Sequence, residues 1–344
     1  MAVARTPRKG RLLKALLAVL LFMMPACRKE TPSDPPDGNY LSGPTVFIPV
    51  GTLKSPRGIA VDATGDIWVA DTYNDEIRRF GSDGTEKAFV PGFTLPSYMG
   101  IDLLTGDILA VANRLSIIRI DPENNSAAVE TTISESTIDT TSIYDVNLRQ
   151  TVARGITPNE IGDIAGAFNG DIFVSVLANG TENFVIRLRN GLASAIAVSR
   201  QTPSIPSDIG TRFLAVDNFG TIYTALITGS QGSASAKVYA INPGTLPLSH
   251  ILTEPFVTGG ARGAGIDVAG ELYIADPPVT AMVIVSTTLE ETIDVLDVPA
   301  VEGMNDPAAW DIGVGPDGSV YVAVVDLFDS ANELGAVLKY TRSF

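Results

Sequence analysis

Residues 55–80 read SPRGIAVDATGDIWVADTYNDEIRRF, in which three short apolar runs, GIAVD from Gly58, DIWVAD from Asp66 and EIRRF from Glu76, are separated by turn residues. Apolar side chains that alternate with others over four to six positions are the pattern of β-strands. The turn Ala63-Thr64-Gly65 joins the first two runs, and a hairpin that tight needs positive φ, which glycine adopts without a steric cost. Three such strands cannot bury both of their faces. The unit therefore needs neighbours of its own kind.

The neighbours are in the sequence. Aligned on the turn glycine, the unit recurs as GIDLLTGDILAVA at Gly106, DIAGAFNGDIFVSV at Gly170, FLAVDNFGTIYTAL at Gly220, GIDVAGELYIAD at Gly270 and DIGVGPDGSVYVAV at Gly318. The second residue after each glycine is Ile67, Ile108, Ile172, Ile222, Leu272 or Val320, and the third is large: Trp68, Leu109, Phe173, Tyr223, Tyr273 or Tyr321. A third strand follows each pair, with Arg79, Arg119, Arg187 and Lys339 at equivalent places on its half-exposed face, and most copies continue into a fourth apolar segment. Four-stranded units repeated every 40–50 residues or so are the period of propeller blades. The expectation is an all-β, six-bladed β-propeller over residues 44–344.

The first copy, from Pro56 through Gly58-Ile59-Ala60-Val61-Asp62 to Val69-Ala70-Asp71, Asn74 and Ile77, resembles an NHL repeat, a unit that builds six-bladed propellers. The fifth copy keeps Gly265-Ile266-Asp267 and Ile274-Ala275-Asp276, whereas Ala112, Val176, Leu226 and Val324 replace the second-strand aspartate elsewhere. The resemblance implies a fold and leaves function open. An open ring would present an unpaired strand edge, and the last copy ends after three strands, so Thr45–Val50 is expected to close it beside Val337–Tyr340. The turn glycines lie 41, 64, 50, 50 and 48 residues apart, and the 64 marks an insertion of about one hairpin near 129–159.

The N-terminus reads differently. Arg5, Arg8, Lys9, Arg11 and Lys14 precede an apolar run from Ala15 to Met24, the order of an export signal over residues 1–26. Met24-Pro25-Ala26-Cys27 resembles the lipobox of bacterial lipoproteins, which implies acylation of Cys27, the chain's single cysteine, and an outer-membrane anchor facing periplasm or cell surface. Residues 27–43 then form a polar, Pro-rich tether. The formal charge of -15 becomes -20 without the five basic residues of the signal. Such a field repels phosphate backbones, so nucleic acid is excluded as a partner. The propeller is expected to be a monomer.

In propellers, the loops that enter the innermost strands gather round the mouth of the central channel. Here those segments present Arg57, Tyr98, Glu160, Asp208, Arg262 and Asp306, with Asp163, Arg212 and Trp310 close behind. Arginines among carboxylates and aromatics suit a polar ligand gripped by a bidentate guanidinium fork, or else pair with one another inside a narrow channel. Asp62, Asp71, Asp217, Asp267 and Asp276 read as turn residues of the blades. Three function classes are open: a binding or scaffold module for a protein or glycan of the envelope; a calcium-dependent lactonase or esterase like gluconolactonase relatives, with Glu160, Asp208, Asn305 and Asp306 as hard-oxygen donors; and a propeller lyase. The single His250 disfavours the lyase, no catalytic residue stands out, and no cofactor is implied apart from calcium in the second class.

Overall fold

The computed structural model describes residues 41–342 apart from 146–147, 149, 181, 201–212, 229–234, 244–249, 252–260, 278–279, 288–290 and 328–333. The export signal, Cys27, nearly all of the tether, Asp208 and Arg212 lie outside the described residues. Within them, two single-turn 3-10 helices, Thr72–Asn74 and Glu135–Thr137, interrupt an otherwise all-β chain. The fold is a β-propeller built of small antiparallel sheets.

The described strands group into six sheets, and in each the core strands run in chain order from the inside outward, with earlier segments added at the outer edge of the third and the sixth. The first spans Pro56–Val61, Ile67–Asp71, Glu76–Phe80 and Glu86–Pro91, and the second runs from Ser97–Ile101 to Ser126–Thr132. The third begins at Pro158–Gly166, the fourth at Leu214–Val216, the fifth at Ala264–Ile266 and the sixth at Pro307–Val314. The insertion attaches to the outer strand of the third sheet, Leu192–Arg200. Ile138–Asp139 and Ile143–Asp145 pair parallel to that strand, and Gln150–Val152 folds back on Ile143–Asp145 as a hairpin.

The sixth sheet takes its outermost strand from the other end of the described chain. Leu41–Lys54 runs antiparallel to Leu334–Arg342, with Thr45 opposite Lys339, Val46 opposite Leu338 and Ile48 opposite Val337. Ile48 and Leu53 on this strand are almost fully buried, packed with Ile59, Val69, Phe80, Tyr321 and Val337. The contact thus joins the sixth sheet to the first, and the edge that would otherwise be open is covered.

The repeated turn residues do the local work assigned to them. Asp62 accepts hydrogen bonds from the Thr64 and Asp66 N–H groups at 2.9 and 3.1 Å and from the Trp68 indole at 3.0 Å. Asp217 holds the Phe219 and Thr221 N–H groups at 2.8 Å each and the Tyr223 hydroxyl at 3.0 Å, and Asp267 repeats the pattern with Ala269, Glu271 and Tyr273. The large residue after each of these turns thus ties its hydroxyl or indole back to the hairpin that precedes it. Arg79 covers the first turn: it meets Asp66 at 2.8 Å, stacks over Trp68 at 4.9 Å and reaches the Pro122 carbonyl of the next sheet at 2.7 Å. Arg119 does the same to Asp102 at 2.6 Å and Asp107 at 3.2 Å. These third-strand arginines neutralise buried carboxylates as well as facing solvent.

Candidate functional site

The innermost strands surround a channel whose apolar cavity of about 150 Å3 is lined by residues 59–61, 99–101, 164–166, 214–216, 264–266 and 312–314. Adjacent inner strands approach closely because of glycine: a Cβ on Gly100 would lie 2.2 Å from the Ile164 carbonyl oxygen. Each inner strand enters from the loop face, and in four of them the pairing slips by one residue near the entry, at Pro56/Gly58, Ser97/Met99, Ile161/Asp163 and Ala309/Asp311. A bulge of this kind releases backbone groups from the ladder and re-aims them.

Two carboxyl groups take up the released donors. Asp311, almost fully buried, accepts the Ile312 N–H at 2.9 Å and the Ile59 N–H of the first sheet at 2.9 Å, and it also engages the Met99 N–H of the second. Asp163, equally buried, accepts the Ile164 N–H at 2.8 Å and the Leu214 N–H of the fourth sheet at 2.6 Å, and it engages the Ala264 N–H of the fifth. Burial pushes the Asp311 carboxyl up to about 8 against the opposing pull of its backbone donors. Asp163 is raised by burial and then by the charge of Asp311.

Above this floor, the structure brings together two of the arginines expected at the mouth. The Arg57 guanidinium carbon lies 5.0 Å from the centre of the Trp310 ring, and that of Arg262 lies 5.2 Å from it. Arg57 also stacks at 5.1 Å on Tyr73 and donates to its hydroxyl at 3.0 Å and to the Ser55 hydroxyl at 3.1 Å. The buried Trp310 indole N–H finds no acceptor among the described residues. Two guanidinium groups stacked on one indole, with the indole's own donor beside them, are a setting for an anion.

The other expected site residues fare differently. Tyr98 is buried in a core cluster with Leu109, Val111, Ile161 and Ile164, so it packs instead of lining the mouth; an apolar body two residues before the strand's glycine is drawn inward. Glu160 is half-buried on its inner strand. Asp306 is half-buried, with its backbone N–H given to Asp326 at 3.1 Å, and Asn305 donates its own N–H to Asp326 at 2.7 Å. Among the described residues no three His, Cys, Asp or Glu side chains gather closely enough to hold a metal ion. Asp311 was missed as a site residue, although the third and sixth copies alone begin with Asp followed by Ile, half a ring apart.

Comparison with known proteins agrees on the fold. The NHL repeat family model matches residues 53–80. No curated protein sequence matches the chain. Among solved structures, a gluconolactonase from Xanthomonas campestris is similar over 87% of this chain and 89% of its own, at 13% identity and a TM-score of 0.59. The calcium-binding protein regucalcin from Agrobacterium tumefaciens covers 88% of this chain and 96% of its own, at 15% identity and a TM-score of 0.56. A streptogramin B lyase covers 89% and 100%, at 14% identity and a TM-score of 0.56. With an NHL repeat in its first sheet and small sheets ringed about a channel, this chain is an NHL-type β-propeller protein.

Proposed function

We propose that the chain is a six-bladed binding propeller, each sheet one blade, whose loop face takes an acid-bearing protein or glycan of the cell envelope without turnover. The observation that carries this reading is the meeting of Arg57 and Arg262 on Trp310. Arginine forks recognise carboxylates in two-point fashion, and a desolvated aromatic platform strengthens that contact. In this reading an acylated Cys27 and the 27–43 tether hold a monomeric propeller at the outer membrane, facing periplasm or cell surface. Palmitate labelling that persists in Cys27→Ser would remove the anchor from the proposal without touching the site.

A second reading is a calcium-dependent lactonase or esterase, and the fold neighbours favour it, since a gluconolactonase and a regucalcin are among them. The described side chains favour the first. One set of measurements separates them. Calorimetric titration with an acidic oligosaccharide, against a neutral one of equal length, should show binding that the Arg57→Ala, Arg262→Ala double variant weakens by about tenfold or more, roughly 1.4 kcal/mol. Lactone hydrolysis that needs calcium, stops with EDTA and fails in Asp306→Ala would establish the second reading instead. Binding that is indifferent to both arginines would end the first.

A further inference from the structure

At one level of the channel, four backbone N–H groups donate to only two acceptor side chains, those of Ile59 and Ile312 to Asp311 and those of Ile164 and Leu214 to Asp163, and the N–H groups of Met99 and Ala264 face the same two carboxyl groups closely enough to lower their titration. Each carboxyl group serves three consecutive sheets: Asp163 the third, fourth and fifth, and Asp311 the sixth, first and second. The equivalent positions in the other inner strands hold Gly58, Tyr98, Phe213 and Gly263. A Cβ on Gly263 would lie 1.8 Å from Asp311 Oδ1, so the glycine leaves the space that the carboxyl group fills. A ring of donors converging on a channel is a carboxylate-binding arrangement, and buried donors of this kind cannot be left without acceptors.

The same donors sit immediately below the loop-face cluster. Ile59 follows Arg57 by two residues, Ala264 follows Arg262 by two, and Ile312 follows Trp310 by two. We propose that these N–H groups form one built-in carboxyl-binding site with Asp163 and Asp311 as its resident ligands, through which both act as positioning residues for Arg57, Arg262 and Trp310. Asp311 sets the height of the Arg57 and Trp310 strands together, and Asp163 sets that of the Arg262 strand. The positioning role rests on the loop-face reading above for its consequence in binding. The donor ring stands apart from it.

The chain has two tryptophans, so a Trp68→Phe background leaves Trp310 as the only indole to report on the cluster. In that background Asp311→Ala should lower the melting temperature and shift the Trp310 emission. Formate in excess, compared with chloride at equal ionic strength, should recover at least half of both changes by occupying the donors that Asp311 vacates. Asp163→Ala should lower stability comparably while moving Trp310 emission less, because Asp163 makes no hydrogen bond to the strands that carry Arg57 and Trp310. No selective effect of formate would overturn the carboxyl-binding site. A lowered melting temperature with unmoved Trp310 emission would overturn the positioning role and leave a simple strut. If Asp311→Ala does not fold, Asp311→Ser, whose shorter side chain cannot span the donors of two sheets, is read by the same emission, and an unchanged spectrum there is equally decisive. Neither readout involves the loop-face ligand, so failure of the acidic-ligand reading and failure of this one are separately visible.

Discussion

Leu53 is fully buried on the closing strand, where it packs with Ile59, Val69 and Phe80 of the first sheet and with Tyr321 and Val337 of the sixth. Truncating it to alanine removes the apolar contact that joins the two ends of the described chain. Leu→Ala in a packed core costs about 3 kcal/mol through lost transfer energy and the cavity left behind. For a body of this length each kcal/mol lowers Tm by about 2 °C, so Leu53→Ala should melt roughly 6 °C below the parent. Val46, on the same strand but 53% exposed, is the matched control, and Val46→Ala should stay within about 0.5 kcal/mol of the parent. Calorimetry gives the two melting temperatures, and hydrogen exchange locates the damage. Protection should fall in Leu334–Arg342, which pairs with the closing strand, before it falls in the second sheet. Leu53→Ala melting with the parent, or exchange rising evenly over all sheets, would refute closure by this strand as the source of its stability.

Other outcomes follow from single residues. Asp311 has its carboxyl raised by burial from an ordinary 3.8 to about 8, so between those values the folded protein keeps a proton that the unfolded chain has released. Its stabilising contribution is whole below about pH 4 and is lost as pH rises through about 8; the urea midpoint should fall from pH 5 to pH 8 by the equivalent of about 4 kcal/mol at most, and Asp311→Asn should flatten that slope. Gly263→Ala places a Cβ 1.8 Å from Asp311 Oδ1 and should cost about 2 kcal/mol or more by chemical denaturation, whereas Gly43→Ala, with nothing within 4 Å, should be near neutral. Arg119→Ala strips the partner from Asp102 and Asp107, both buried, and should cost about 3 kcal/mol, part of which Arg119→Lys restores.

The candidate site changes what a polar rim means in this propeller. Two cations that stack on one indole are already oriented before any ligand arrives, which lowers the ordering cost of binding. The carboxyl groups beneath them keep water from the inner N–H groups and hold the neighbouring strands at one level. Loop-face chemistry and channel chemistry are therefore coupled through backbone, with one or two residues between them.

The architecture was legible because strand repeats write themselves locally. A turn aspartate, a glycine with positive φ and an aromatic three residues after it are all set by hydrogen bonds within one hairpin, and Asp62, Gly65 and Trp68 show that set in full. The closing strand was legible too, since an apolar run before the first copy and a missing fourth strand after the last leave one solution consistent with covered edges. Arg57 and Arg262 could be placed at the mouth by phase within the repeat, but their meeting on Trp310 could not, because these residues belong to three different sheets and share no local pattern. Tyr98 was misplaced for the same reason: phase alone does not say whether a side chain at the entry turns to the channel or to the core between sheets. Asp163 and Asp311 are the clearest case. Their sequence signal is an aspartate before an isoleucine at the head of the inner strand, in two of six copies, and their role exists only once ring closure brings donors from neighbouring sheets to each carboxyl group. Local hydrogen bonding determines the blade, whereas the charge and donor balance at the axis is a sum over strands far apart in the chain, which only the closed ring assembles.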